Sequence, residues 1–304
     1  MRSRSVSFLA TSSMKTEFPV YACEYSQRLA EKAPRFARQV YPDPTAKKVP
    51  RKNPKLSIDP FGELTHASKV KGLKQRFPDR VLIMTTDRCF MNCRHCTRQG
   101  LFGKTEIVET AADLQACIRY VKAHPAVRDV LLSGGDILTL PDAKVMEFVN
   151  AFAALDQIEI VRVCTRAVCT NPSRITKRLA KALGKSKKVW VNTQFNCADE
   201  VTPEAKRAAA VLVEAGIPVS CQSVLLKGVN DSPEEMLKLL RALSAARIRP
   251  YYVFMCDPIV GIDHFRVSRR RAKEIEKVCA ESIGGLALPR FVMDLPGAKR
   301  KVPI

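Results

Sequence analysis

The hydropathy pattern changes character near residue 81. Upstream, apolar positions are sparse. One amphipathic stretch, residues 25–39, has helical spacing, and Pro42, Pro44, Pro50, Pro54 and Pro60 then interrupt any regular element. Downstream, short apolar, β-branched runs recur at residues 81–85, 129–133, 159–165, 188–195, 218–226, 249–255 and 290–293. Helical repeats separate them, at 110–123, 142–155, 173–183, 202–215, 232–246 and 268–281. Near-continuous apolar runs alternating with amphipathic helices predict a parallel sheet buried on both faces. Thr202-Pro203 and Ser232-Pro233 each set a capping hydroxyl before a first-turn proline, and Glu235 is spaced to complete a capping box with Ser232. Gly216 stands where a left-handed C-cap is wanted. The expected class is α/β, with a basic, Pro-rich, irregular extension over 1–80 and the sheet domain over 81–304. A (β/α) barrel and an open doubly wound sheet both satisfy the pattern, and in either the chemistry belongs at the C-terminal ends of the strands.

Composition narrows the class further. Of the 304 residues, 46% are hydrophobic and 27% charged, which excludes wholesale disorder. No apolar run approaches the ~20 residues of a membrane-spanning helix. The 11 cysteines are odd in number and dispersed, which fits a reduced, cytoplasmic chain better than a secreted disulfide scaffold. A net charge of +21 raises the question of nucleic acid, but the excess is diffuse. Residues 1–80 hold 17 Lys and Arg against seven Asp and Glu, and no RNA-recognition aromatic motif accompanies them. A solvated basic surface is the better reading, and it argues against a nucleic-acid partner. Residues 1–13, Arg- and Ser-bearing without an acid, faintly resemble a transit peptide; a start at Met14 accounts for them equally well.

The chemistry is concentrated after the first downstream strand, where Cys89, Cys93 and Cys96 follow a C-x3-C-x2-C spacing. A structural zinc site would want a fourth ligand close by, and the next cysteine, Cys117, lies within a helical pattern. Three thiols suit a 4Fe–4S cluster with one iron left open. With His95 just before the last cysteine, the motif resembles the signature of radical S-adenosylmethionine enzymes. The segments 76–82, 93–98, 131–136, 192–196, 222–231 and 249–252 are similar, in the same order, to the lysine 2,3-aminomutase family.

That resemblance implies a partial (β/α)6 radical-SAM barrel, with the cluster on Cys89, Cys93 and Cys96. It implies S-adenosylmethionine contacts from Ser133, Gly134, Gly135 and Asp136, from His95, and from Gln194 and Gln222. Pyridoxal 5′-phosphate would be joined to Lys301, the catalytic lysine, with its phosphate near Arg80. Arg98 would grip the substrate α-carboxylate, and Asp257 and Asp294 would face the distal ammonium of L-lysine. An external electron donor such as flavodoxin or ferredoxin is implied as a partner.

Three departures stand out. Ala298, Lys299 and Arg300 replace a glycine run, Gln194 replaces a histidine, and the chain stops three residues after Lys301 without a Cys-bearing tail. No structural zinc and an altered association state are therefore expected. The expected activity is 2,3-amino migration converting L-lysine to β-lysine. The alternatives are the same chemistry on another amino acid, or β-lysine made for modifying elongation factor P. More distant is a metal-cluster protein that binds nucleic acid.

Overall fold

The computed structural model describes residues 18–43, 56–63, 69–101, 103 and 106–304. The transit-peptide reading of residues 1–13 lies outside them. Strands are β1 (Leu73–Phe77), β2 (Arg80–Thr86), β3 (Asp129–Gly134), β4 (Ile160–Cys164), β5 (Val189–Thr193), β6 (Val219–Leu225), β7 (Arg249–Met255), β8 (Arg290–Met293) and β9 (Val302–Pro303). Helices are α1 (Glu24–Lys32), α2 (Pro34–Val40), α3 (Ala111–Ala123), α4 (Asp142–Ala153), α5 (Ala167–Thr170), α6 (Lys177–Gly184), α7 (Pro203–Glu214), α8 (Pro233–Ala245) and α9 (Arg269–Ser282).

The nine strands form one sheet in strict chain order. Strands β2 to β8 run parallel, each joined to the next through helix, while β1 and β9 pair antiparallel at the two edges. Among the described residues β9 does not pair back to β1, so the barrel is partial, as the resemblance implied. The parallel strands are those the hydropathy pattern predicted. Strand β1 is not: Leu-Lys-Gln-Arg-Phe is short and polar, and lies in the stretch read as extension. Its partner holds it, with Leu73 opposite Ile83 and Phe77 opposite Arg80.

Several local expectations hold and some need correcting. Thr202 accepts from the Ala205 amide at 3.1 Å, and Gly216 has φ +78°. Ser232 caps the Glu235 amide at 3.3 Å, but the Glu235 carboxylate turns to Arg35 (3.2 Å) and Lys238 (2.8 Å), so only half the predicted box forms. The predicted helix over 25–39 is two helices. Pro34 cannot donate a backbone hydrogen bond, and the helix restarts with proline in its first turn. The helix predicted from residue 173 begins only at Lys177, after α5 and a 3-10 turn over Pro172–Arg174.

Alternation along the strands separates two environments. Val81, Ile83, Val130, Leu132, Val161 and Val163 are buried in the core shared with the helices, and their neighbours face the barrel interior. A second apolar cluster joins α1 and α2 to the strand C-terminal ends. Phe36 and Val40, both fully buried, pack with Met91, Leu226, Val229, Ile259 and Phe265. Each such side chain contributes about 2 kcal/mol of burial, enough to fix the N-terminal helices beside the cysteine loop. No helix among the described residues is long and apolar enough to cross a membrane.

Candidate active site

The cysteine loop leaves β2 and is clamped at once by the end of β3. The Gly135 amide donates to Thr86 O and the Asp136 amide to Arg88 O, both at 2.7 Å. A Cβ on Gly134 or Gly135 would overlap the Thr86 or Arg88 carbonyl, and Gly134 has φ +115°. These glycines let two backbones touch. Asp136 is equally committed. It accepts from the Leu138 amide (3.0 Å), Thr165 Oγ1 (2.7 Å) and the Arg166 amide (2.8 Å). Burial nonetheless holds its carboxyl above the ordinary range. The Ser133 carbonyl accepts from Thr85 Oγ1 at 2.9 Å. The segment from Ser133 to Asp136 therefore braces the loop and the end of β4.

Cys89, Cys93 and Cys96 are unbridged, and they lie near enough to act on one another. Burial, then the neighbouring thiols, pushes Cys89 well up, and burial with Cys93 pushes Cys96 up to about 11. Among the described residues no three metal-ligating side chains already converge on one point. The donor set still suits an iron–sulfur group: three crowded thiols ionise when a metal supplies the compensating charge. Arg166 Nη1 donates to Cys93 Sγ at 2.9 Å.

Polar groups without partners point the same way. His95 is buried, and burial followed by Arg166 holds its pKa well below the ordinary value, so the ring is neutral. Gln194 Nε2 (3.0 Å) and Asn196 Nδ2 (3.2 Å) both approach its Nε2. Two amide donors there leave the proton on Nδ1, which has no acceptor among the described residues. Thr193 Oγ1 and Arg166 Nε are likewise buried without partners. Such groups are costly unless a ligand completes them. Gln194, the departure from histidine, is thus used to orient His95.

A second cluster forms around the C-terminal lysine. Strand β9 pairs Val302 with Met293, which brings Lys301 into an ion pair with Asp294. Arg76 holds the same carboxylate at two points, 3.0 and 3.2 Å. Burial alone would raise Asp294, but hydrogen bonds from Arg76 and Lys301 win and hold it below the usual carboxylate range. Burial lowers Lys301 from its usual value even against this partner. The Lys301 ammonium lies 5.3 Å from the Phe77 ring centre and 5.4 Å from that of Phe254. Arg80 covers Phe77 from 4.9 Å while gripping Asp79 at 2.9 and 3.0 Å. Asp257 is pushed up to about 7 by burial and then by Asp294. Residues 298–300 follow a turn at Pro296-Gly297, where Gly297 has φ +72°, and the chain bends at Lys299 and Arg300.

Arg98 meets a residue outside every motif quoted above: Glu63 takes its Nε and Nη2 at 2.8 and 2.7 Å. Gln222 accepts from Tyr251 Oη, which accepts from Asn192 Nδ2, both at 3.1 Å. Asn192 and Tyr251 also line a cavity of about 430 Å³, with Arg162, Trp190, Arg249 and Arg290 among its walls. The structure thus joins Lys301, Asp294 and Asp257, with Arg80 and Lys301 over the Phe77 ring, and it joins His95 and Gln194 beside the cysteine loop. Glu63, Arg166, Glu200 and Phe254 were not singled out from sequence. Arg76 was visible only as a member of the 76–82 segment, where an arginine four residues before Arg80 was the available signal.

An open parallel barrel carrying a three-cysteine loop at the end of its first parallel strand defines a class. Residues 83–240 match the Radical SAM superfamily, to which the chain belongs. SuiB of Streptococcus suis, solved with S-adenosylmethionine, shares the fold at TM-score 0.53 and 18% identity, covering 72% of this chain and 48% of that one. Within the superfamily the chain belongs to the lysine 2,3-aminomutase family. It is 44% identical over 237 residues to L-lysine 2,3-aminomutase of Acetoanaerobium sticklandii, covering 78% of this chain and 57% of that enzyme. A family member from Treponema pallidum is 34% identical over 286 residues, with 94% and 79% covered. The chain spans less than two thirds of the length of the first of these relatives.

Proposed function

We propose that this chain is a radical S-adenosylmethionine and pyridoxal phosphate-dependent aminomutase that converts L-lysine to β-lysine. One observation carries the reading: Lys301, drawn in by β9, meets Asp294, Asp257 and two aromatic rings in a chain of this family. When bound, the cluster with S-adenosylmethionine supplies a carbon radical able to take a hydrogen atom, and pyridoxal phosphate supplies an electron-accepting ring.

The protein's own residues do the rest. Cys89, Cys93 and Cys96 hold the iron. His95 Nδ1 and Thr193 Oγ1 offer unused polar atoms to a ligand, and Gln194 fixes the His95 ring. Lys301, its amine eased toward the neutral form by burial, is the nucleophile for an aldehyde. Phe77 and Phe254 keep water from that amine, and Arg76 and Arg80 supply positive charge for a phosphate. Arg98 takes the substrate α-carboxylate. Asp257, whose side chain has no hydrogen bond among the described residues, faces the distal ammonium together with Asp294.

A second reading, the same chemistry on another amino acid, is favoured by one fact: both Asp294 oxygens are already taken by Arg76 and Lys301. An external flavodoxin or ferredoxin would deliver the electron, and the 11 unbridged cysteines suit the reducing cytoplasm. The test is anaerobic reconstitution with iron, sulfide, pyridoxal phosphate, S-adenosylmethionine and a reductant. L-lysine, L-glutamate and L-arginine are then offered separately. β-Lysine as the sole product is the expected result. Turnover of another amino acid would overturn the roles of Asp257 and Asp294. Cleavage of S-adenosylmethionine with no isomerisation would overturn the aminomutase itself.

A further inference from the structure

We propose that Glu63 is a positioning residue, holding the Arg98 guanidinium in the orientation that receives the substrate α-carboxylate. The inference rests on the reading of Arg98 just given. Glu63 binds the side fork of the guanidinium, accepting from Nε at 2.8 Å and Nη2 at 2.7 Å. Nη1 reaches the Gly134 carbonyl at 3.3 Å, a weaker contact. Among the described residues the end fork, between Nη1 and Nη2, carries only that contact outside the Glu63 pair, and is left for one more carboxylate. A carboxylate competing with substrate would occupy that end fork; Glu63 supports the guanidinium from the other edge.

Glu63 is itself held. Its amide donates to Asp59 Oδ1 at 2.8 Å, and the Asp59 amide donates to Ser57 Oγ at 3.0 Å. Ser57 in turn bridges the loop after β7, donating to Pro258 O (3.0 Å) and accepting from the Val260 amide (3.1 Å). Segment 56–63 therefore ties Arg98 to the loop that carries Asp257. One short piece of chain connects the group assigned to the carboxylate with the group assigned to the ammonium.

The charges are consistent with support. The Glu63 carboxylate is 8% exposed, and Arg98, Lys74 and Arg76 all act on it, so the neighbourhood stays cationic once Glu63 and Arg98 have paired. Without Glu63, a largely buried guanidinium would lose its main partner and rotate toward another acceptor.

The test compares Glu63→Gln, Glu63→Asp and Arg98→Gln in the reconstituted enzyme. Turnover of L-lysine is measured, with equilibrium binding of L-lysine and of cadaverine, the same diamine chain without the α-carboxylate. Glu63→Gln is expected to raise KM and Kd for L-lysine roughly 10- to 50-fold while kcat stays within about 3-fold. Cadaverine binding should change less than about 3-fold. Glu63→Asp, which keeps the charge, should recover part of the loss and serves alone if the Gln variant does not fold. Arg98→Gln should weaken L-lysine at least as much. If Arg98→Gln does so and neither Glu63 variant does, the positioning role is overturned and the Arg98 assignment stands. If Arg98→Gln leaves L-lysine binding unchanged, the assignment fails and the proposal with it. An equal loss for cadaverine in Glu63→Gln would mean general disruption, and also overturns it.

Discussion

Arg76 and Asp294 stand 218 positions apart in the chain and meet in a two-point ion pair at 3.0 and 3.2 Å. The pair links the antiparallel edge strand β1 to the end of β8, on the side where the sheet does not close. Lys301 shares the same carboxylate, so one aspartate is paired with two cations.

Arg76→Met is expected to cost about 2–3 kcal/mol in urea denaturation, because a largely buried carboxylate loses its bidentate partner while keeping Lys301. Arg76→Met with Asp294→Asn should cost less than the two single changes added together. Strict additivity would show that the pair is not coupled.

Asp257 sets a pH dependence. Its carboxyl is pushed up to about 7, against roughly 3.9 for an exposed aspartate. The folded chain binds this proton more tightly than the unfolded chain, so stability from this group is intact below about pH 4 and lost as pH rises to 7. Asp257→Asn should flatten that part of the stability profile. Cadaverine affinity, which needs the ionised carboxylate, should rise through about pH 7 in the parent and stay level in the variant. A parent affinity indifferent to pH would sink the assignment of Asp257 to the ammonium.

The Glu200 side chain is fully buried and accepts from Gln39 Nε2 (2.7 Å), the Asn196 and Cys197 amides (2.9 and 3.0 Å) and Arg166 Nη2 (2.8 Å). Glu200→Ala strands Arg166 and should cost about 3–5 kcal/mol. Glu200→Gln should cost less, since an amide oxygen can keep part of the set. Equal, small losses in equilibrium unfolding would contradict the network.

Two glycines separate close approach from backbone conformation. Gly135→Ala should destabilise severely and lower iron uptake on reconstitution, because its Cβ meets the Arg88 carbonyl. Gly216→Ala, at φ +78° with open space around the new methyl, should cost only about 1–2 kcal/mol and leave iron uptake intact. Comparable losses of iron at both positions would refute the clamp on the cysteine loop.

The parallel strands and their helices were readable because a short apolar run such as Val81-Leu82-Ile83-Met84-Thr85 or a Ser-Pro helix start acts within a turn of its own position. Strand β1 escaped, since Lys74, Gln75 and Arg76 carry no strand pattern and only pairing with β2 makes them extended. The break at Pro34 was visible in principle, and the helical spacing on either side concealed it. At the site, the cysteine triplet falls within eight residues and could be recognised as a motif, and Lys301 was picked out only by the resemblance to the aminomutase family, in register with Pro296 and Pro303. Glu63 carries no local mark of its role, lying in a stretch where proline and charge dominate.

Periodicity, capping and the spacing of ligands are short-range properties, so the chain alone determined the α/β class, the strand–helix alternation and the three-thiol loop. Which groups face one another was decided by the tertiary structure. Glu63 reaches Arg98 across 35 positions, Gln39 reaches Glu200 across 161 and Arg76 reaches Asp294 across 218. Those meetings depend on strand order, register and the packing of α1 and α2 over the strand ends, which bring distant residues within hydrogen-bond reach. No local pattern records such distances, because the energy that selects them belongs to the assembled barrel.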